Sequence, residues 1–155
     1  MLEIVNENAV SADNVVEVLK NIYRQALIKD IDDFREAIDL FISSSDFPTL
    51  VHCTSGKDRT GIFITLIFTI SGVPRETIIC NYMLTNDYQR DIGFMLGPQA
   101  NPSAVRAVKS ARRDFLAATF DTLDGVWGGE ERFLSEGLEL SEAQRCELRT
   151  QLLEG

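Results

Sequence analysis

Apolar residues recur at helical spacing through most of the chain. Val15, Val16, Leu19, Ile22, Tyr23 and Ala26 fall on one face, the period of an amphipathic helix. Ser11 or Asp13 can cap its start, and it runs to about Lys29. Tyr23 reads as a core member of that face rather than a substrate contact. A second stripe, Ile31, Phe34, Ile38, Phe41 and Ile42, starts at Asp30 or Asp32 and stops at Ser43–Asp46, with Asp32, Asp33, Glu36 and Asp39 as its solvated side. Pro48 then leads into Thr49–His52. That run has no polar alternation, the pattern of a strand buried on both faces of a sheet. Leu2–Val5 carries a weaker strand pattern.

From near Arg59 the chain is apolar nearly all round: Ile62, Phe63, Ile64, Leu66, Ile67, Phe68 and Ile70. Such a helix is buried. Gly72 reads as its C-cap, and Pro74 starts a further helix to about Tyr88. Ile92–Asn101, with Gly93, Gly97 and Pro98, reads as a loop. One long helix is expected from Ser103 to about Leu123, with Val105, Val108, Phe115, Leu116 and Phe120 buried. Its other side carries Arg106, Lys109, Arg112 and Arg113, read first as a solvated face. Gly125–Gly129 breaks the chain. Short helices follow at about Glu130–Glu136 and Glu142–Leu153, the second opened by a Ser141/Gln144 capping box.

Between the strand pattern and the buried helix lies His52-Cys53-Thr54-Ser55-Gly56-Lys57-Asp58-Arg59-Thr60-Gly61. A strand, a tight loop and a helix N-terminus make an anion cradle, because loop N–H groups and the helix dipole converge there. Arg59 brings a planar guanidinium that grips two phosphate oxygens at once. Cys53 at the base is expected to have a depressed pKa, since those donors stabilise the thiolate. A thiolate facing a bound phosphate is set for in-line attack on phosphorus. The plain alternative, a buried Cys before a solvated Lys-Asp-Arg turn, leaves the polar, Gly-containing interruption of an apolar segment unexplained. A nucleotide P-loop fails: no Gly lies five residues before Gly56, and no Ser or Thr follows Lys57.

Composition narrows the surroundings. The 155 residues suit one domain, and a hydrophobic content of 45% is ordinary for a globular chain. The net charge of −9 and pI of about 4.6 argue against generic binding to nucleic acid or an anionic membrane. The basic loop is therefore a local feature. Cys53, Cys80 and Cys146 fit neither a zinc site nor a disulfide framework, and His52 is the sole histidine. No cofactor or metal is called for. The longest apolar run is too short for a bilayer, which needs about 20 residues. No signal peptide is read, and a reducing cytoplasm is the expected setting.

The loop resembles the His-Cys-x5-Arg-Ser/Thr motif of the cysteine-dependent tyrosine phosphatases. It resembles in particular the atypical bacterial and fungal tyrosine and lipid phosphatases with a Gly-Lys-Asp-Arg-Thr-Gly loop, through His52, Cys53, Gly56, Lys57, Asp58, Arg59, Thr60 and Gly61. The resemblance implies an α/β, helix-rich tyrosine-phosphatase-like fold with a small parallel sheet, as a single domain over 1–155. Relatives carry further strands upstream of the Cys, so the N-terminal strands are expected to be reduced or absent here. A buried strand needs neighbours, which a second chain, a swapped segment or a local arrangement would supply.

The resemblance also implies roles. Cys53 is the nucleophile, with Thr54, Ser55, Gly56, Lys57, Asp58, Arg59 and Thr60 holding phosphate. Thr60 would donate to the thiolate and ease its departure, and His52 would orient the loop. Asp58 is favoured as general acid over an upstream Asp30, Asp32 or Asp33. Lys57 is expected to add charge at the mouth, widening substrates from phosphotyrosine to phosphoserine, phosphothreonine or phosphoinositides. Arg106 or Arg112 would offer a second anion contact if that region covers the site. The alternatives are a phosphate-binding module without catalysis, and, with a poorer loop match, an arsenate reductase or sulfurtransferase.

Overall fold

The computed structural model describes residues 11–44, 48–88 and 101–153. The expected strand at Leu2–Val5 and most of the expected loop at 92–101 lie outside them.

Helix α1 (Ala12–Lys29) begins where Ser11 accepts a hydrogen bond from the Asn14 N–H at 3.2 Å. It buries Val15, Val16, Leu19, Tyr23, Ala26 and Leu27, the face given by its periodicity with Leu27 added and Ile22 only half-buried. Helix α2 (Ile31–Ser43) follows after the single residue Asp30 and buries Ile31, Phe34, Ile38 and Ile42. Helix α3 (Asp58–Ile70) is buried through Ile62, Phe63, Leu66, Ile67 and Ile70. Its buried Thr65 and Thr69 hydroxyls donate one turn back to the Gly61 and Thr65 carbonyls, each at 2.8 Å, so neither is left unsatisfied. Gly72 ends α3 at φ +77°, where Val73 N–H bonds the Phe68 carbonyl at 2.9 Å. Arg149 adds a 2.8 Å bond to the Ile70 carbonyl, a cation at the negative end of the helix dipole.

Helix α4 (Arg75–Met83) runs into a 3-10 turn, Leu84–Tyr88. Two helices then stand where the periodicity predicts one: α5 (Pro102–Lys109) and α6 (Arg113–Gly125). The break at Ser110–Arg112 is held by Asn86. Its side chain accepts from the Ala111 N–H at 2.8 Å and donates to the Ala111 carbonyl at 2.9 Å. A side chain thus replaces the helical partners of that residue's N–H and carbonyl, and no Gly or Pro marks the place. After a turn with Gly128 and Gly129 at positive φ, the segments Glu130–Arg132 and Phe133–Gly137 lead to α7 (Glu142–Leu153). The Ser141/Gln144 capping box is formed, at 3.3 and 3.0 Å.

The main packing is α1 against α6 and α5. Leu19, Tyr23, Leu27, Phe115, Leu116 and Leu123 are fully buried, as are Ile38, Ile62, Leu66, Ile70, Ile78 and Phe133. Arg75 ties α4 to α6 and the turn beyond. It makes a paired contact with Asp124 (2.7 Å twice) and one with Glu130 (2.5 Å), and lies over the Phe120 ring. Trp127 closes the far end by donating to the Leu27 carbonyl at 3.0 Å.

The expected parallel sheet is not present: the described residues are helix-rich and include no strand. Thr49–His52 is irregular. Thr49, Leu50 and His52 are exposed, and Val51 is only half-buried. A strand exists through its ladder partners, and no described segment lies paired with this one. The fold seen is a helical packing with an irregular entry to the loop, not an α/β layer.

Candidate active site

The segment 54–57 turns at Gly56, whose φ of +67° suits a residue without Cβ. The turn delivers the chain into α3 with Asp58 as its first residue. Lys57 at the helix boundary makes no side-chain cap, so the first N–H groups of α3 stay available to other acceptors. One acceptor is Cys53. Burial pushes its thiol up, but the Thr60 hydroxyl and the N–H groups of Thr60, Ser55 and Gly56 outweigh that and hold it below the ordinary thiol range. The Thr60 hydroxyl is buried and finds no nitrogen or oxygen partner among the described residues; the Cys53 sulfur is the group it bears on.

Thr54, Ser55, Gly56 and Arg59 form the exposed lip around the half-buried Cys53. The Arg59 guanidinium stands 3.5 Å from the Thr54 hydroxyl. Behind the loop, a cavity of about 90 Å³ is bounded by Gly56, Thr60 and Gly61 and by Asn81 and Tyr82 of α4. That volume holds a few waters, at ~10–15 Å³ each, rather than a phosphorylated side chain.

Lys57 is turned away from the lip and is almost completely buried, 4% exposed. Its ammonium donates to the Val108 carbonyl and, at 3.2 Å, to the Ser110 carbonyl, and lies 5.6 Å from the Phe115 ring centroid. It also lies 3.3 Å from Asp58 Oδ1. Burial pulls its pKa down, against the opposing charges of Asp58 and Cys53. The expected extra charge at the mouth is instead a brace from the loop to the break between α5 and α6.

Asp58 receives a second donor on the same oxygen, the Tyr23 hydroxyl at 2.9 Å. Tyr23 in turn is 2.6 Å from the Tyr82 hydroxyl. The structure thus gathers Cys53, Ser55, Gly56, Lys57, Asp58, Arg59 and Thr60 with two buried tyrosines. Neither tyrosine carried a sequence signal: Tyr23 reads as core, as its complete burial agrees, and Tyr82 lies 59 residues further on. Gly61 has a steric reason. A Cβ there would sit 2.9 Å from a Tyr82 ring carbon, so only glycine lets α3 approach that ring.

The remaining candidates lie elsewhere. His52 is exposed. Asp32 is paired with Arg35 at 2.6 Å, and Arg35 also bonds the Gly137 carbonyl, which places Asp32 at the junction with the C-terminal segment. The four basic residues do not form one face, because the helix carrying them is broken. Arg112 is paired with Asp114 at 2.9 Å and Arg113 with Glu76 at 2.8 Å. Arg106 is exposed on α5. Among the described residues no group of His, Cys, Asp and Glu could hold a metal ion, and no helix is long and apolar enough to cross a membrane.

Comparison with known proteins adds sequence evidence. The profile of the tyrosine phosphatase family matches residues 2–154. A Cupriavidus necator protein provisionally named a tyrosine-protein phosphatase is 32% identical over 120 residues, which cover 72% of this chain and 43% of that one. A tyrosine-protein phosphatase of Nostoc commune is 36% identical over 66 residues, or 43% of this chain and 22% of its own length. The triple specificity protein phosphatase PtpB of Mycobacterium tuberculosis is 28% identical over 105 residues, 57% of this chain and 38% of its own. The chain spans less than half the length of each of these relatives.

Proposed function

The chain belongs to the tyrosine phosphatase family, and on that premise we propose that it hydrolyses phosphomonoesters through a cysteinyl-phosphate on Cys53. The observation that carries this reading is the set of donors on the Cys53 sulfur, which hold its thiol pKa down beside the exposed Arg59. Substrate phosphate docks on the loop N–H groups and Arg59. The Cys53 thiolate attacks phosphorus, forming S–P as the P–O bond to the leaving group breaks. Asp58 gives its proton to the departing oxygen. Water then attacks phosphorus while Asp58 takes its proton, and the thiolate leaves with Thr60 stabilising the charge it regains. Phosphate is released.

We rank phosphotyrosine first as substrate class, on the family to which the chain belongs. Arg59 is the loop's exposed cation, and the thiolate beside it is half-buried. The phosphoinositide reading leaned on Lys57 at the mouth and loses that support with the ammonium buried. A name such as triple specificity belongs to a relative; for this chain, phosphoserine and phosphothreonine rank behind phosphotyrosine.

The test is hydrolysis of p-nitrophenyl phosphate beside Cys53→Ser. Turnover that the mutation abolishes and vanadate blocks is the expected result. No turnover, with Cys53 alkylated quickly near neutral pH and protected by phosphate, would replace this reading with a phosphate-binding module.

A further inference from the structure

Asp58 does not stand alone in the loop. Its Oδ1 takes the Tyr23 hydroxyl at 2.9 Å and faces the Lys57 ammonium at 3.3 Å. No described residue bonds Oδ2. Tyr23 has one hydroxyl proton, and it is committed to Asp58. The 2.6 Å contact between the tyrosines must then be donated by Tyr82. The Tyr82 oxygen is in turn approached by the Arg112 backbone N–H. Every donor in this line points the same way, from the break between α5 and α6 through two tyrosines to one carboxylate oxygen.

The line is buried and rigid. Tyr23 is fully buried and Tyr82 nearly so. The Tyr23 ring packs against Phe115, centroids 5.6 Å apart, and edge-on to Tyr82 at 6.2 Å. Burial first, and then the Asp58 charge, push the Tyr23 hydroxyl far above the usual tyrosine range. Burial likewise raises Tyr82. Both therefore remain donors throughout the range in which a phosphatase works. A hydroxyl with this much burial and no solvent contact contributes nothing to substrate binding directly. What it can do is fix an orientation.

We propose that Tyr23, backed by Tyr82, is a positioning residue for the reaction, holding Asp58 by Oδ1 so that Oδ2 carries the proton to the leaving group. The proposal rests on Asp58 as general acid in the reading above. Tyr23 touches neither substrate nor Cys53 in this role; it acts through Asp58. A pre-aimed carboxyl matters when the leaving oxygen needs a proton, and little when it departs as a stable phenolate.

The experiment compares wild type, Tyr23→Phe, Asp58→Asn and the double variant on phenyl phosphate and on p-nitrophenyl phosphate. Tyr23→Phe keeps the ring and its packing. Its kcat is expected to fall about tenfold on phenyl phosphate, a part of the 10²–10⁴ typical of general acids, and about twofold or less on p-nitrophenyl phosphate, with KM unchanged. In the Asp58→Asn background Tyr23→Phe should have no further effect, since the two act as a unit. Equal losses on both esters, or a Tyr23→Phe loss undiminished without the Asp58 carboxyl, would overturn the proposal and leave Tyr23 a structural residue. Circular dichroism checks folding. If Tyr23→Phe is unfolded, Tyr82→Phe takes its place: a smaller loss, still confined to the poor leaving group, supports the line, and a uniform loss overturns it. Wild type inert on both esters would overturn the hydrolase reading itself, a result distinct from either.

Discussion

The Thr60 hydroxyl is buried without a nitrogen or oxygen partner among the described residues, a state that ordinarily costs about 1–3 kcal/mol. Its proximity to Cys53 gives it a use, because it is one of the donors that lower the thiol pKa. A lowered pKa means the thiolate persists at pH values where a free thiol is already protonated. Alkylation of Cys53 by iodoacetamide should therefore rise with pH and reach its midpoint below that of a free cysteine. Thr60→Val should move the midpoint up; an unmoved midpoint would show that the backbone donors suffice. Lys57 makes the opposite case, a charge that works inward. Lys57→Met leaves the Val108 and Ser110 carbonyls short of a donor and should cost about 1–3 kcal/mol in a denaturant melt, where a lysine at an open mouth would cost close to nothing. The turn that brings donors to Cys53 was legible in the sequence because its parts are local: Ser55, Gly56 and Thr60 lie within seven residues of the sulfur they surround. The direction of Lys57 was not legible, because its partners are carbonyls 51 and 53 residues away, and a carbonyl leaves no trace in side-chain identity.

Among the elements, α3 and α4 meet most tightly at Gly61, where a Cβ would lie 2.9 Å from the Tyr82 ring. Alanine normally gains about 1 kcal/mol over glycine inside a helix. Here the ring cannot yield without loosening the Tyr82–Tyr23 contact, so Gly61→Ala should destabilise by about 1–3 kcal/mol. Gly125 ends α6, and a Cβ added there would meet nothing within 4 Å, so Gly125→Ala should be neutral or slightly stabilising. Paired thermal melts of the two variants measure the contrast. Helix positions were readable from periodicity, since each stripe is a property of its own segment. The break between α5 and α6 was not, because the residue that holds it, Asn86, lies outside the segment it divides.

Across the whole molecule, stability depends on joints between segments far apart in sequence. Arg75 is one such joint, and Arg75→Ala should lower stability by about 1 kcal/mol, with the loss shrinking as salt is raised. The sheet missing from the described residues belongs to this scale as well. An apolar run such as Thr49–Val51 states that it can be a buried strand, but only a neighbour makes it one, and pairing is not encoded within the run. Leu50 is 84% exposed, which is how such a run looks when no described segment lies beside it. Helices carried their own evidence in the sequence; the sheet depended on partners and could not.

The Asn86 clamp on Ala111 has a practical consequence. Ser110–Arg112 separates two helices and looks, by its place between them, like a tolerant linker for a tag, a cut or an inserted domain. Yet Ala111 is 2% exposed with both backbone groups engaged, and its neighbours Val108 and Ser110 hold Lys57. Its amide should exchange with deuterium as slowly as the helices around it. Proteases should leave the junction intact. A chain split there would lose the anchor behind its own Cys53 loop.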